Sequence, residues 1–233
     1  MKAYFLPIQI SFVLSALVLF ACSTNQNSIS EYSGKPFSDT KYTNGAQQIP
    51  GKIQLEYYDF GGEGVAFHDS DSINSGSGKL NPPDGSYLHE FRIGEPVDIS
   101  YTKSRDIDDH DFNLVTPEMD QLYVGWTEPG EWISYTIDVK IEGNYQVGLM
   151  YTANRNGQIS LAINDKDLTG PLEVLSTYDA ADTVNWRQWH HWNYEDSLTT
   201  IKLEKGLQKL TLHTVAEGNM NFDYLNFILI GDK

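Results

Sequence analysis

The stretch EWISYTIDVK, Glu131 to Lys140, sets Ile133, Tyr135, Ile137 and Val139 on one side and Ser134, Thr136, Asp138 and Lys140 on the other. A two-residue period belongs to a strand with one buried face. Residues 144–153 repeat it with Tyr145, Val147, Leu149 and Tyr151, after the turn residues Glu142, Gly143 and Asn144. The two strands are therefore expected to form a hairpin.

Outward from this pair, further strands are expected at 53–58, 158–163, 188–194, 199–203, 209–214 and 221–230. Asn156-Gly157, Asn164-Asp165 and Lys205-Gly206 mark turns between them. No segment keeps apolar residues at helical spacing over three turns, and no fixed-period repeat is present. Short strands with regular turn punctuation predict an all-β domain, a β-sandwich or jelly roll. Residues 69–121, dense in Asp, Ser, Asn, Gly and Pro, read as a long loop insert with one strand near 96–102.

The N-terminal residues read as an address. Residues 1–21 carry Lys2 and then a mostly apolar run interrupted by Pro7, Gln9 and Ser11, the pattern of a secretory signal. The run ends in Leu19-Phe20-Ala21-Cys22, which resembles the lipobox of bacterial lipoproteins, and Cys22 is the chain's only cysteine. Lipidation of Cys22 is expected to tether the chain to the cell envelope, at the outer membrane or cell surface. Residues 22–51 read as a flexible linker, and 52–233 as one module long enough to bury about 70% of its extended surface.

Charge and composition exclude other classes. The 233 residues carry 32 acidic and 16 basic side chains, a formal net charge of -16. Such a chain repels phosphate backbones and anionic lipid, so nucleic acid is not an expected partner. One cysteine permits no intrachain disulfide and no cysteine-based zinc site. Fourteen Tyr, ten Phe and five Trp are too much packing material for a disordered acidic chain.

Trp132 falls on the polar side of its strand, where an indole stays exposed unless a loop covers it. Trp186, Trp189 and Trp192 crowd into one segment with His190 and His191, and strand spacing by three turns successive indoles to opposite faces. Each indole has two readings, core or recognition surface. Flat aromatics on a rigid β scaffold suit sugars: a pyranose packs its C–H face on a ring while Asn, Asp and Glu bind its hydroxyls.

Three blocks carry a family resemblance. IQLEYYDFGGEGVAFHD from Ile53 to Asp69, YVGWTEPGEWISY from Tyr123 to Tyr135, and NMNFDYLNF from Asn219 to Phe227 resemble, in order, the opening, core and closing motifs of family 6 carbohydrate-binding modules. That resemblance implies a β-jelly roll with a structural calcium ion held by Gln54, Glu56 and Asp223, with backbone carbonyls near 121–123. Carboxylate and amide oxygens suit a hard cation; hydrogen-bonded strand polars are the plainer alternative. It further implies a loop-end cleft in which Trp126 and Trp186 sandwich a sugar and Asn221 hydrogen-bonds it. A second cleft on the sheet face would use Trp132. Glu63 and His68 are candidates to line the first cleft. The implied function is non-catalytic binding of a neutral poly- or oligosaccharide, with calcium serving stability and glycan-degrading enzymes carried on other chains.

Two alternatives stand beside it. A small jelly-roll glycoside hydrolase needs two carboxylates about 5 to 9.5 Å apart, for which Glu128, Glu131, Asp138 and Glu173 are the candidates. A protein-binding envelope lipoprotein would use the tryptophans against a partner. The runs Asp106, Asp108, Asp109, His110, Asp111 and Asp69-Ser70-Asp71 lack the Gly and Glu of an EF-hand loop and read as solvated loop.

Overall fold

The computed structural model describes residues 1–2, 29 and 31–231. Residues 3–21 of the signal segment, and Cys22, lie outside the described residues. Thirteen strands and one helical turn follow in order: β1 (Gln47–Ile49), β2 (Gly51–Gln54), β3 (Phe67–His68), α1 (Tyr87–Glu90), β4 (Ile99–Tyr101), β5 (Leu122–Val124), β6 (Trp132–Val139), β7 (Gly143–Ala153), β8 (Gly157–Ile163), β9 (Lys166–Asp167), β10 (Leu172–Val174), β11 (Asn193–Leu203), β12 (Gly206–Ala216) and β13 (Met220–Ile230). Among the described residues, no helix is long and apolar enough to cross a membrane.

They form two packed sheets, a β-sandwich of the jelly-roll class. One sheet runs β1-β6-β12-β8-β10, with β3 on β6 and β9 on β8; the other runs β11-β7-β13-β5-β4, with β2 on β13. The core lies between them. Ile133, Tyr135, Ile137 and Val139 of β6, with Leu210 and Leu212 of β12, pack across the interior from Tyr145, Val147 and Leu149 of β7 and from Leu225 and Phe227 of β13.

The expected hairpin does not form. β6 pairs with β1, β3 and β12, whereas β7 pairs with β11 and β13 in the opposite sheet. The alternation was read correctly, since both apolar faces are buried, but residues 140–142 carry the chain from one sheet to the other. Two strands with matching apolar faces can bury them against each other only from opposite layers.

The linker reading of 22–51 is also corrected over its described part. Phe37 is buried and stacks on Tyr57 at a ring-centroid distance of 5.3 Å. The Lys35 and Phe60 backbones exchange hydrogen bonds, and β1 pairs in parallel with β6. Tyr32 and Phe37 meet different parts of the surface that the module supplies, Tyr32 beside Lys209 and Phe37 on Tyr57.

The insert is structured where it meets the second sheet. The backbone N–H groups of Leu114 and Val115 both donate to the Trp192 carbonyl, at 2.9 and 3.0 Å. Beneath them, Tyr123, Met150 and Trp192 form a second small core on the outer face of that sheet. The strand expected at 188–194 begins only at Asn193; residues 186–189 are a turn.

Candidate functional site: an indole-walled cleft at the loop end

Trp126, Trp186 and Asn221, far apart in sequence, line one cleft of about 600 Å³. Trp189, Tyr123, Ile107 and Leu80 complete its apolar wall, and Lys103, Asp108 and His190 its polar part. Trp186 is 55% exposed, an indole that the fold leaves open to solvent. Trp192, by contrast, is fully buried, its indole N–H donating to Asp108 Oδ1 at 2.7 Å, so the three-residue spacing divides between surface and core.

The floor is a hydrogen-bonded chain. Asn221 faces Thr152 across the β13–β7 pair, and its Nδ2 donates to Thr152 Oγ1 and to His190 Nδ1, both at 2.9 Å. Its Oδ1 accepts from the Trp126 backbone N–H at 3.0 Å, which fixes the amide orientation. His190 Nε2 in turn meets Asp108 Oδ1 at 2.7 Å. Both amide hydrogens of Asn221 are thus committed internally, and what it offers a ligand is the second lone pair of Oδ1. Trp126 sits at φ +47, a left-handed conformation that costs a non-glycine residue energy and that the Asn221 bond helps to hold. Gly125 makes the approach possible: a Cβ there would lie 3.0 Å from Asn221 Oδ1.

Asp108 corrects the solvated reading of the 106–111 run. It is buried, and although burial opposes ionisation, hydrogen bonds from His190, Trp192 and the Lys103 backbone hold its carboxyl below the usual range. Burial pushes Lys103 down to about 8, with Asp108 pulling the other way. Trp189, Asp108, His190 and Lys103 were not foreseen as site residues; the crowding of tryptophans around His190 was the one local signal for the first and third.

Trp132 lies elsewhere, on the outer face of the first sheet, with Ser134, Thr211 and His213. Its ring centroid is 6.5 Å from that of His213. This depression, of about 420 Å³, is also lined by Glu31, Tyr32 and Ser33, so the N-terminal segment lies along it. Lys209 Nζ sits 4.9 Å from the Tyr32 ring centroid. Glu63 and His68 bond each other, and Glu63 Oε2 accepts from the Asp69 backbone N–H at 3.1 Å. Neither lines the indole cleft, because the β3–β6 pairing carries both to the Trp132 side.

Gln54, Glu56 and Asp223 meet where β2 pairs with the last strand; Leu55 N–H donates to the Asp223 carbonyl at 2.9 Å. Gln54 Oε1, Glu56 Oε2 and Asp223 Oδ1 are all buried with no hydrogen-bond partner. Burial, and then the charge of Asp223, drive the Glu56 carboxyl well above its ordinary range; burial pushes Asp223 up to about 7. Three orphan oxygens on adjoining strands, two of them carboxylate, fit a hard cation: an unsatisfied buried acceptor costs about 1–3 kcal/mol, and two like charges cost more. The Gln121 carbonyl accepts from Thr102 N–H at 2.8 Å and from Thr102 Oγ1 at 3.5 Å.

Of the hydrolase candidates, Glu131 is held by backbone groups, and Asp138 and Glu173 are far apart. Glu131 accepts from the backbone N–H groups of Ser70 and Glu128. Asp138 on β6 and Glu173 on β10 are three strand steps apart in the sheet, roughly 14 Å at about 4.8 Å per step. Near Glu131, burial and the neighbouring carboxylates Asp69, Asp71 and Glu131 raise Asp98 to about 7, against the bond from Ser75 N–H. A raised folded-state value favours the native state at low pH, and that contribution is lost as pH climbs from about 4 to about 7. Asp98→Asn, which keeps an oxygen for Ser75, is expected to raise the Tm by a few degrees at pH 8, about 1–2 kcal/mol after allowance for residual exposure, and to leave it unchanged at pH 4. Equal shifts in melting scans at the two pH values would refute this.

A two-sheet β-sandwich with an indole-walled cleft at its loop end defines a class of binding modules. The sequence profile of the carbohydrate binding module (family 6) matches residues 99–228, more than half of the chain, and the chain belongs to that family. Among solved structures, it is similar to a family 6 module of Clostridium stercorarium in complex with cellobiose (14% identity, TM-score 0.47, 81% of this chain and 100% of that one). It is also similar to a β-1,3-glucan-binding family 6 module from Bacillus halodurans (14% identity, TM-score 0.43, 78% and 98%). A family 35 module from Clostridium thermocellum aligns over 51% of this chain and 84% of its own, at 20% identity and TM-score 0.39. Comparison with curated proteins gives no match.

Proposed function

We propose that the cleft between Trp126, Trp186 and Trp189 holds a neutral poly- or oligosaccharide without cleaving it. The observation that carries this reading is the convergence of three indoles around one open cleft whose polar floor is supplied by Asn221, His190 and Asp108. Indole faces suit the C–H faces of pyranose rings, and hydroxyls can meet the Asn221 and Asp108 oxygens and the Lys103 ammonium. The anionic chain favours uncharged glycans over acidic ones. Family 6 modules are binding modules, and the indole cleft is lined by one carboxylate, Asp108, where a hydrolase uses two. Affinity electrophoresis and calorimetry with the full chain test this, using cellooligosaccharides and β-1,3-glucan, which the similar structures suggest as probes. Binding to a neutral glucan with no release of reducing ends is the expected result. Reducing sugar released by the wild type, and lost in Glu131→Gln, would overturn it.

Calcium at Gln54, Glu56 and Asp223 is proposed as a structural ion: when bound it neutralises two buried carboxylates and joins the first and last strands of the module. The proposal also includes the anchor. With Cys22 lipidated, the module stands at the cell envelope and presents a glycan to enzymes on other chains. Metabolic labelling with radioactive palmitate should mark the wild type and not Cys22→Ser; equal labelling of both would refute the anchor.

A further inference from the structure

We propose that His110, Asp182 and His191 form a site for a transition-metal ion, zinc by its chemistry, joining the insert to the loop that carries the cleft's indoles. All three are buried, and one ligand atom from each lies within 4.8 Å of the others. The site shares no residue with the Gln54, Glu56, Asp223 group.

The hydrogen bonding leaves a place for a cation. His191 Nδ1 lies 2.9 Å from the Thr177 carbonyl, which can only accept, so Nδ1 carries the proton. In the neutral ring Nε2 then presents a lone pair to Asp182 Oδ2 at 3.1 Å, acceptor facing acceptor. His110 is 9% exposed, and neither of its ring nitrogens has a hydrogen-bond partner. The His190 carbonyl acts on that ring only from outside bonding geometry. A cation accepting a lone pair from each imidazole and from Asp182 satisfies all three groups.

Two imidazoles and a carboxylate suit zinc, whereas calcium takes oxygen ligands. Supporting contacts of the usual kind are present: the Thr177 carbonyl orients His191, and Arg187 Nε and Nη2 grip Asp182 at 2.7 and 3.0 Å. Phe112 stacks on His191 at a centroid distance of 5.4 Å and shields it from water. A tetrahedral zinc centre spaces its ligand atoms roughly 3.3 Å apart, which the His191–Asp182 gap already meets and which His110 reaches by a shift of up to about 1.5 Å. Arg187 opposes a cation, but it is itself paired at 2.9 Å with Asp106 as well as with Asp182. That opposition sets the expected affinity in the micromolar range. Asp182 and His191 flank Trp186 and Trp189, so the ion would set how firmly these indoles are held.

Zinc binding by the full chain, stripped by chelator and returned to calcium buffer, is measured by equilibrium dialysis with metal analysis, and cobalt(II) serves as a spectroscopic probe. One zinc per chain is expected, with visible cobalt bands. His110→Ala, which breaks no hydrogen bond, should weaken zinc binding at least about tenfold, while Asp138→Asn, a surface carboxylate on β6, leaves it unchanged. No stoichiometric zinc, equal binding by His110→Ala, or loss in Asp138→Asn would each overturn the proposal. Ring-nitrogen NMR gives a check independent of any variant: a His191 protonated at both nitrogens and unmoved by zinc means a plain imidazolium–carboxylate pair, and the site falls. None of these readouts depends on glycan binding.

Discussion

Trp126→Ala and Trp186→Ala are each expected to lower glycan affinity by at least about 2 kcal/mol, roughly thirtyfold, and together to remove measurable binding. Aromatic anchors in clefts dominate binding energies, and truncating one commonly costs that much. The two changes should differ in side effects. Trp186 is exposed and outside the core, so its removal leaves the Tm unchanged. Trp126 is half-buried, so its removal also loses packing and lowers the Tm slightly, while its backbone N–H keeps the bond to Asn221. Trp132→Ala, on the far sheet face beside Tyr32, leaves this binding intact. Calorimetry on the three variants decides: unchanged affinity in both Trp126→Ala and Trp186→Ala eliminates the cleft, and a loss confined to Trp132→Ala moves the site to the sheet face.

If calcium occupies the proposed site, chelation is expected to lower the Tm by about 6–12 °C. Removing the ion leaves the Glu56 and Asp223 carboxylates buried together beside an unpartnered Gln54 oxygen. A loss of about 3 kcal/mol corresponds to this shift for a chain of this size. Glu56→Gln separates ion binding from ordinary packing. It removes the like-charge repulsion, so in chelator the variant should melt at or above the wild type, and added calcium should no longer raise its Tm. If the three residues were only hydrogen-bonded strand polars, chelator would change nothing and Glu56→Gln would be mildly destabilising in every buffer. Scanning calorimetry with and without calcium distinguishes the two patterns.

The residues that were legible and those that were not differ in the range of their determinants. The alternations in β6 and in 144–153 of β7 were plain because a strand's side-chain period is local. Their placement in opposite sheets was not, because alternation reports that one face is buried but not which strand supplies the hydrogen bonds. Asp108 read as solvated among its acidic neighbours; the groups that bury it, His190 and Trp192, lie 82 and 84 residues away. The segment before β2 read as a linker because its apolar residues share no periodicity, yet Phe37 packs on Tyr57 and Phe91, aromatics brought to it by the fold.

By itself the sequence determined the layer architecture, the outward indole of Trp132 and, through three ordered motifs, the family. These follow from period, composition and short contiguous patterns, none longer than the first motif, Ile53 to Asp69. The tertiary structure alone decided which tryptophans face a ligand, that Asn221 spends both amide hydrogens inside the protein, that three orphan oxygens lie where the first and last strands of the module adjoin, and that His110 meets Asp182 and His191. Those facts depend on groups brought together by long loop closures. A buried polar atom's partner, or its lack of one, exists only once the sandwich has closed.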